Sequence, residues 1–237
     1  MPNLGGDRMK LRHIYHSGFL VEINNNILIF DCLDPSVTKY FSPSSKVYVF
    51  TSHSHSDHYS KMIFDWEKEY SQINYILSDD IQISNKGKNY YFMDKYESLN
   101  VDNLKIQSFG STDKGVSFLV SLDGVKIFHA GDLNWWHWKN DSPKAQKKEE
   151  EDFKYEVGKL IGKDIDVAFI PVDPRLEEEY YLGAEYFAKT INPRLLVPMH
   201  FSDDFTITKK VKEKLINSNV QILAIKRRNQ EFDICLE

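Results

Sequence analysis

The chain has 237 residues, of which 41 % are hydrophobic and 14 % aromatic, enough to bury one large core. Its 30 Lys and Arg against 35 Asp and Glu leave a net charge of -5, which gives no reason to expect nonspecific binding of nucleic acid. No stretch approaches the roughly 18 apolar residues of a membrane span. The two cysteines, Cys32 and Cys235, are too few for a disulfide framework, and without a signal-like apolar segment they suggest a cytoplasmic protein.

Residues 1–9 read as a flexible leader, and residues 10–237 as a single domain, since no Gly/Ser linker or repeat interrupts them. Residues 11–23 have strand character interrupted at Ser17-Gly18; Asn24-Asn25-Asn26 is a turn, and Ile27-Leu28-Ile29-Phe30 the return strand of a hairpin. Asp31 ends that strand. The run Val47-Tyr48-Val49-Phe50 is β-branched and aromatic without a break, as in a strand buried on both faces. Directly after it comes Thr51-Ser52-His53-Ser54-His55-Ser56-Asp57-His58, with four candidate metal ligands within six residues. Imidazole and carboxylate together suit zinc, iron or manganese, and the absence of a nearby cysteine argues against a thiolate zinc site of purely structural purpose.

A short helix is predicted over residues 60–70, then strands at Tyr75-Ile76-Leu77, Tyr90–Met93, Val101–Phe109, Val116–Ser121 and Val125–Phe128, the last two joined by an Asp123-Gly124 turn. The strand before His129-Ala130-Gly131-Asp132 delivers a carboxylate at its end. Leu133-Asn134-Trp135-Trp136-His137-Trp138 follows, either as the wall of a pocket or as a packed knot anchoring the next helix. The charged run 140–152 is most simply a solvated face or a mobile flap, leading into helical spacing at Phe153, Val157 and Leu160. Asp166–Val172 is a strand that Asp173-Pro174 ends; residues 177–191 read as one helix. A strand over residues 195–199 places His200 at its end, and a helix over about residues 208–217 precedes strand-like segments at 220–225 and 231–235.

The order His53-x-His55-x-Asp57-His58, then Asp132, then Val197-Pro198-Met199-His200-Phe201, resembles the metallo-β-lactamase superfamily. The resemblance implies an α/β fold, a four-layer αβ/βα sandwich with one or two divalent metal ions at the edges of two sheets. It also implies hydrolysis by a metal-bound hydroxide, with His53, His55, Asp57, His58, Asp132 and His200 as ligands and Asp132 bridging. Zinc is the first expectation, manganese or iron the alternatives. Asp57, His58, His200 and Asp132 would complete one position, and His53, His55 and Asp132 a poorer one. The opening His16-Ser17-Gly18-Phe19-Leu20-Val21-Glu22 with Ile27–Asp31 is similar to the branch that includes ascorbate-6-phosphate lactonases. There a histidine at the position of His16 lies near the active site without being a regular ligand, so His16 joins Asp57 as a candidate catalytic residue; otherwise it is an ordinary hydrogen-bonded histidine. Asp31 would accept a hydrogen bond from a ligand imidazole, or simply form a turn.

One departure stands out. The superfamily places a further ligand histidine before a strand like 116–121, yet no histidine occurs between His58 and His129. Asp113 is either an oxygen ligand in its place or a turn residue, and a weak or absent second ion is the expected consequence. Hydrolysis of a small ester, lactone or phosphodiester is the function the resemblance favours. A non-catalytic metal-binding or sensing module and a nuclease are the alternatives. The oligomeric state is open.

Overall fold

The computed structural model describes residues 7–84 and 87–236, and builds them into two seven-stranded sheets packed face to face. The first sheet starts with three antiparallel strands, β1 (Asp7–Tyr15), β2 (Gly18–Ile23) and β3 (Asn26–Phe30). It continues in parallel through β4 (Lys46–Thr51), β5 (Ile73–Ser78) and β6 (Tyr90–Met93). The second repeats this plan: β7 (Ser98–Val101), β8 (Leu104–Phe109), β9 (Ser117–Leu122) and β10 (Val125–His129) are antiparallel. Next come the parallel strands β11 (Val167–Pro171), β12 (Leu195–Met199) and β13 (Gln221–Ile222). The final strand, β14 (Glu231–Leu236), returns to the first sheet and pairs with β1. Residues 1–6 of the expected leader lie outside the described residues, and Asp7–Met9 already belong to β1.

The unbroken apolar runs follow from burial on both faces. On β3 and β4, Leu28, Phe30, Tyr48 and Phe50 face the second sheet in the main core, while Ile27, Ile29, Val47 and Val49 belong to a separate outer cluster with Ile63 and Trp66. That outer layer consists of two 3₁₀ helices, Pro35–Tyr40 and Lys61–Lys68, the second being the short helix expected over 60–70 in 3₁₀ form. The second sheet is covered by α1 (Pro143–Gly158) and α2 (Leu182–Ile191), with Phe187 stacked on Phe128 at 5.4 Å. A third helix, α3 (Thr206–Lys214), follows β12. The four layers are therefore those of an α/β sandwich, one outer layer being made of 3₁₀ turns.

Two expectations are corrected in detail and a third is extended. The charged run is not a flap: it forms α1, capped by Ser142 with Pro143 in its first turn, and its charges pair along the solvated side, as Lys147 does with Glu151 at 3.6 Å. The single helix over 177–191 is two elements, because Asp173 caps an earlier 3₁₀ turn, Pro174–Glu179, and Glu177 takes a left-handed conformation (φ 52°) that breaks the path before α2. The expected hairpin is present as β2 and β3, and β1 extends it to a three-stranded meander, since His16, also left-handed (φ 53°), turns the chain between β1 and β2.

Candidate metal centre

The parallel strands deliver their C-terminal ends to one edge of the sandwich. β3 brings Asp31, β4 the loop 52–58, β10 Gly131-Asp132, β11 Asp173 and β12 His200, while the β1–β2 turn adds His16 from the side. Open α/β sheets commonly use this end for ligands, because the loops there are free of the strand ladder.

Two close approaches of backbone fix the edge. Gly131 (φ 54°) lies against the metal loop so tightly that a Cβ would come 2.7 Å from Ser52 Cβ. At Gly115 (φ 73°) a Cβ would fall 2.0 Å from the Ser52 carbonyl oxygen. Only glycine fits both the left-handed backbone and the space. His16, Asp31 (φ 42°) and His200 (φ 64°) adopt similar conformations without being glycine, so three of the residues at this edge hold strained backbone.

The histidine tautomers can be read from their neighbours. His58 Nδ1 donates to Asp31 Oδ2 at 2.7 Å, and His200 Nδ1 donates to Asp173 Oδ2 at 2.9 Å. The Ser52 hydroxyl donates to Asp31 Oδ2 (2.6 Å) and so accepts from His53 Nδ1 at 3.0 Å. Each ring thereby turns Nε2 inward. The inward atoms converge on Asp132: Nε2 of His58 and of His200 lie 3.0 and 3.2 Å from Oδ1, and Nε2 of His53 lies 3.4 Å from Oδ2. All four residues are buried, yet the three nitrogens and Asp132 Oδ1 make no well-aligned hydrogen bond. Buried polar atoms left in this state are costly unless something else satisfies them.

The electrostatics agree. Burial alone would lower the His58 pKa, but Asp31 and Asp132 outweigh it and raise it to about 10. His200 is likewise raised against burial, by Asp132 and Asp173. Asp132 is held far below the ordinary carboxylate range, burial notwithstanding, by His200 and His58; Asp31 and Asp173 are held at about 2 against burial, by His58 and by His200 with Arg175. The cluster draws positive charge to its centre, where nitrogen and carboxylate donors suit a divalent cation.

The structure brings together every ligand predicted from the sequence. His16, Asp57, His58 and His200 present ligand atoms within 4.8 Å of one another, as do His53, His55 and Asp57, and His53, His58 and Asp132. His55 and Asp57 are exposed at the cavity mouth, whereas the others are buried. His55 and Asp113 form a fourth such group with Asp132. His16 Nδ1 accepts from the Ser202 backbone N–H at 3.2 Å, so in the neutral ring Nε2 carries the proton, 3.7 Å from Asp57 Oδ2. Burial, with His200 and His58 close by, pushes the His16 pKa down to about 3. His129 is not part of the centre: Nε2 donates to the Ser17 carbonyl at 2.9 Å and Nδ1 accepts from Gly131 N–H. His13 is packed among Phe19, Phe201 and Phe205.

Above the cluster is a cavity of about 350 Å³, lined by Asp57, Asp132, His200, Trp136, Trp138 and Arg175 among others. The tryptophan cluster divides. Trp136 and Trp138 stack at 5.7 Å and form a wall, with Trp136 edge-on to His200, while Trp135 packs against Phe153 and Tyr186 of the helical layer. Sequence reasoning missed Asp173, which it read as a strand terminator, and Arg175, which binds Asp173 through Nε at 2.9 Å and lies 5.6 Å over Trp138. An acidic residue ending an apolar strand, the same signal that marked Asp31, was the available clue to Asp173.

Residues 10–200 match the family described as the beta-lactamase superfamily domain. A protein of Thermococcus onnurineus described as a UPF0173 metal-dependent hydrolase is 24 % identical over 249 aligned positions, covering 92 % of this chain and 96 % of its own. Among solved structures, Igni18, a metallo hydrolase of Ignicoccus hospitalis, superposes with a TM-score of 0.64 at 17 % identity, over 97 % of this chain and 100 % of its own. The metallo-beta-lactamase fold protein YhfI of Bacillus subtilis gives 0.65 at 13 % identity, over 96 % and 99 %. These likenesses extend over nearly the whole of both sheets.

Proposed function

This chain belongs to the β-lactamase superfamily, and from that premise we propose that it is a metal-dependent hydrolase, like the relative named so, cleaving a small ester, lactone or phosphodiester at the histidine–aspartate cluster. The observation that carries the reading is the convergence of three buried, inward-facing Nε2 atoms on Asp132. Asp57, His58, His200 and Asp132 would hold one divalent cation, and His53, His55 and Asp132 a second, with zinc the first candidate and manganese or iron the alternatives. When bound there, such a cation lowers the pKa of a water towards ~7 and polarises the bond under attack.

The chain's own residues do the rest. Asp31, Ser52 and Asp173 fix the imidazole orientations, so the Nε2 atoms already face the cation position and a cation has only to displace their protons. His16 offers its Nε2–H as a hydrogen-bond donor to an oxygen gaining negative charge; full proton transfer would need the imidazolium, which burial and its histidine neighbours oppose. Trp136 and Trp138 give a flat apolar wall, and Arg175, paired with Asp173, stands beside them. A cavity of about 350 Å³ suits a small molecule. Its carboxylates, Asp57, Asp113, Asp132 and Glu149, outnumber the one arginine and disfavour a polynucleotide. Among the described residues no helix is long and apolar enough to cross a membrane. The two free thiols suit work in the cytoplasm. A shared core running from Met9 to Leu236 supports reading 10–237 as one domain.

The missing histidine favours a second reading, a metal-binding module without turnover. Chelator-stripped protein refilled with zinc, manganese or iron and offered chromogenic esters, lactones and phosphodiesters separates the two. We expect turnover of one class only after refilling, abolished in Asp57→Ala and His200→Ala. Metal uptake without turnover on every substrate replaces the hydrolase reading with the module.

A further inference from the structure

We propose that Asp113 supplies the carboxylate ligand of the second cation position, in the place where an imidazole is absent. The inference rests on the metal centre described above and adds a specific ligand to it. Asp113 Oδ2 lies 3.8 Å from His55 Nδ1, and the carboxylate, His55 and Asp132 all present donor atoms within 4.8 Å of one another. Beside Asp132, His53 Nε2 is fully buried, lies 3.4 Å from Asp132 Oδ2 and makes no hydrogen bond, so an unpartnered imidazole nitrogen faces the carboxylate that this group shares.

The loop carrying Asp113 is held in place rather than merely nearby. Thr112 Oγ1 donates to the Asn134 carbonyl at 2.7 Å and accepts from Asn134 N–H at 2.9 Å, tying the loop to the segment that follows Asp132. Lys114 Nζ donates to Ser54 Oγ at 2.7 Å and pairs with Asp80 at 3.3 Å. Val116 N–H donates to the Ser52 carbonyl at 2.9 Å, a contact that the bare backbone of Gly115 permits. These anchors bind the loop on one side to the segment carrying His53 and His55, and on the other to the segment carrying Asp132. The residue between them, with its side chain half exposed, is turned towards the cavity that contains His55 and Asp132.

The chemistry of the resulting set differs from that of an all-imidazole set. His55, Asp113 and Asp132 form one nitrogen and two oxygen donors, to which His53, facing Asp132, would add a second nitrogen. Carboxylate oxygen suits hard cations such as Mn²⁺, whereas imidazole suits Zn²⁺. The second position therefore discriminates less in favour of zinc than it would with a third imidazole in place of Asp113, and, with His55 and Asp113 exposed, it exchanges its ion more readily than the position built on the buried His58 and His200.

Equilibrium dialysis with elemental analysis, together with Mn²⁺ electron paramagnetic resonance, tests this on the full chain. The wild type should take up two ions in a tight and a weak class. Asp113→Ala and the near-isosteric Asp113→Asn should keep the tight ion and weaken the other by at least ~100-fold, more than loss of an outer hydrogen-bond partner costs. Asp113→His should retain two ions and raise the zinc-to-manganese ratio at the weak position. Unchanged uptake of two ions by both Asp113→Ala and Asp113→Asn overturns the assignment of Asp113 and leaves the metal centre standing. So does a wild type that takes one ion and variants that take the same one. A correctly melting wild type that takes up no ion overturns the metal centre itself. Thermal melts of each variant distinguish a lost ligand from a lost fold.

Discussion

Asp173 accepts the Nδ1 proton of His200 at 2.9 Å, on a residue pair that the chain joins only through a 3₁₀ turn, α2 and β12. The carboxylate sits at the end of β11 and the imidazole at the end of its parallel neighbour, so sheet pairing alone sets the contact. Removing it should free the His200 ring to turn or change tautomer. Asp173→Ala should weaken metal binding by about 10–100-fold, measured by competition with a chromogenic chelator. Arg175→Ala, which leaves Asp173 in place, should bind metal much as the wild type does. Equal losses in the two variants would show that the ion pair, not the imidazole contact, matters.

Gly131→Ala should be far more damaging than its size suggests. The left-handed backbone costs a non-glycine residue about 1–2 kcal/mol, and the new Cβ meets Ser52 Cβ at 2.7 Å. Gly162, also left-handed (φ 80°) but with nothing within 4 Å of the point where a Cβ would stand, provides the control. In urea denaturation Gly162→Ala should lose about 1 kcal/mol, and Gly131→Ala clearly more. Similar losses would mean that the approach to Ser52 relaxes freely.

Cys32 and Cys235 should differ sharply towards thiol reagents. Cys32 is buried and burial pushes its pKa to about 12, so at pH 8 only about one molecule in ten thousand carries its thiolate. Cys235 is exposed on β14. Ellman's reagent should therefore label one thiol in the native protein and a second only after denaturation. Rapid labelling of both in the folded chain would contradict the burial of Cys32.

His13 makes folding sensitive to mild acid. Burial against Phe19 and Phe201 lowers its pKa from 6.5 to about 4 in the folded protein. Between these values the unfolded chain binds the proton and the folded one does not. The contribution is thus intact above pH 6.5, falls as pH drops towards 4, and by then has cost about 3 kcal/mol. His13→Phe should flatten the fall in stability between pH 7 and pH 4.5, read from denaturant midpoints. A slope equal to that of the wild type would assign the acid sensitivity elsewhere.

The fold was legible where one local pattern determines structure. Val47–Phe50 had to be a doubly buried strand, and a ligand loop had to leave it; Asp31 at the end of the strand next to it and His200 beyond another apolar run followed by the same logic. What could not be read depends on contacts between distant segments. Asp173 gains its role only because β11 and β12 lie side by side. Ser52 looked like one of several loop serines until Asp31 set the direction of its hydroxyl and, through it, the tautomer of His53. The break at Glu177 was hidden because the helical spacing of 182–191 extends readily backwards, whereas the capping carboxylate of Asp173 starts a different turn first.

β14 lies outermost in the first sheet, in register with β1 from Asp7 opposite Leu236 to Arg12 opposite Glu231. As the ribosome releases the chain, β1 meets β2 at once, but its other flank waits for residues 231–236. Until then a row of unpaired amides and carbonyls is open to a neighbouring nascent chain. His13 N–H, which bonds to the Gln230 carbonyl, is among the groups that wait. The turn bearing His16 is thus fully steadied only once β14 has paired with β1.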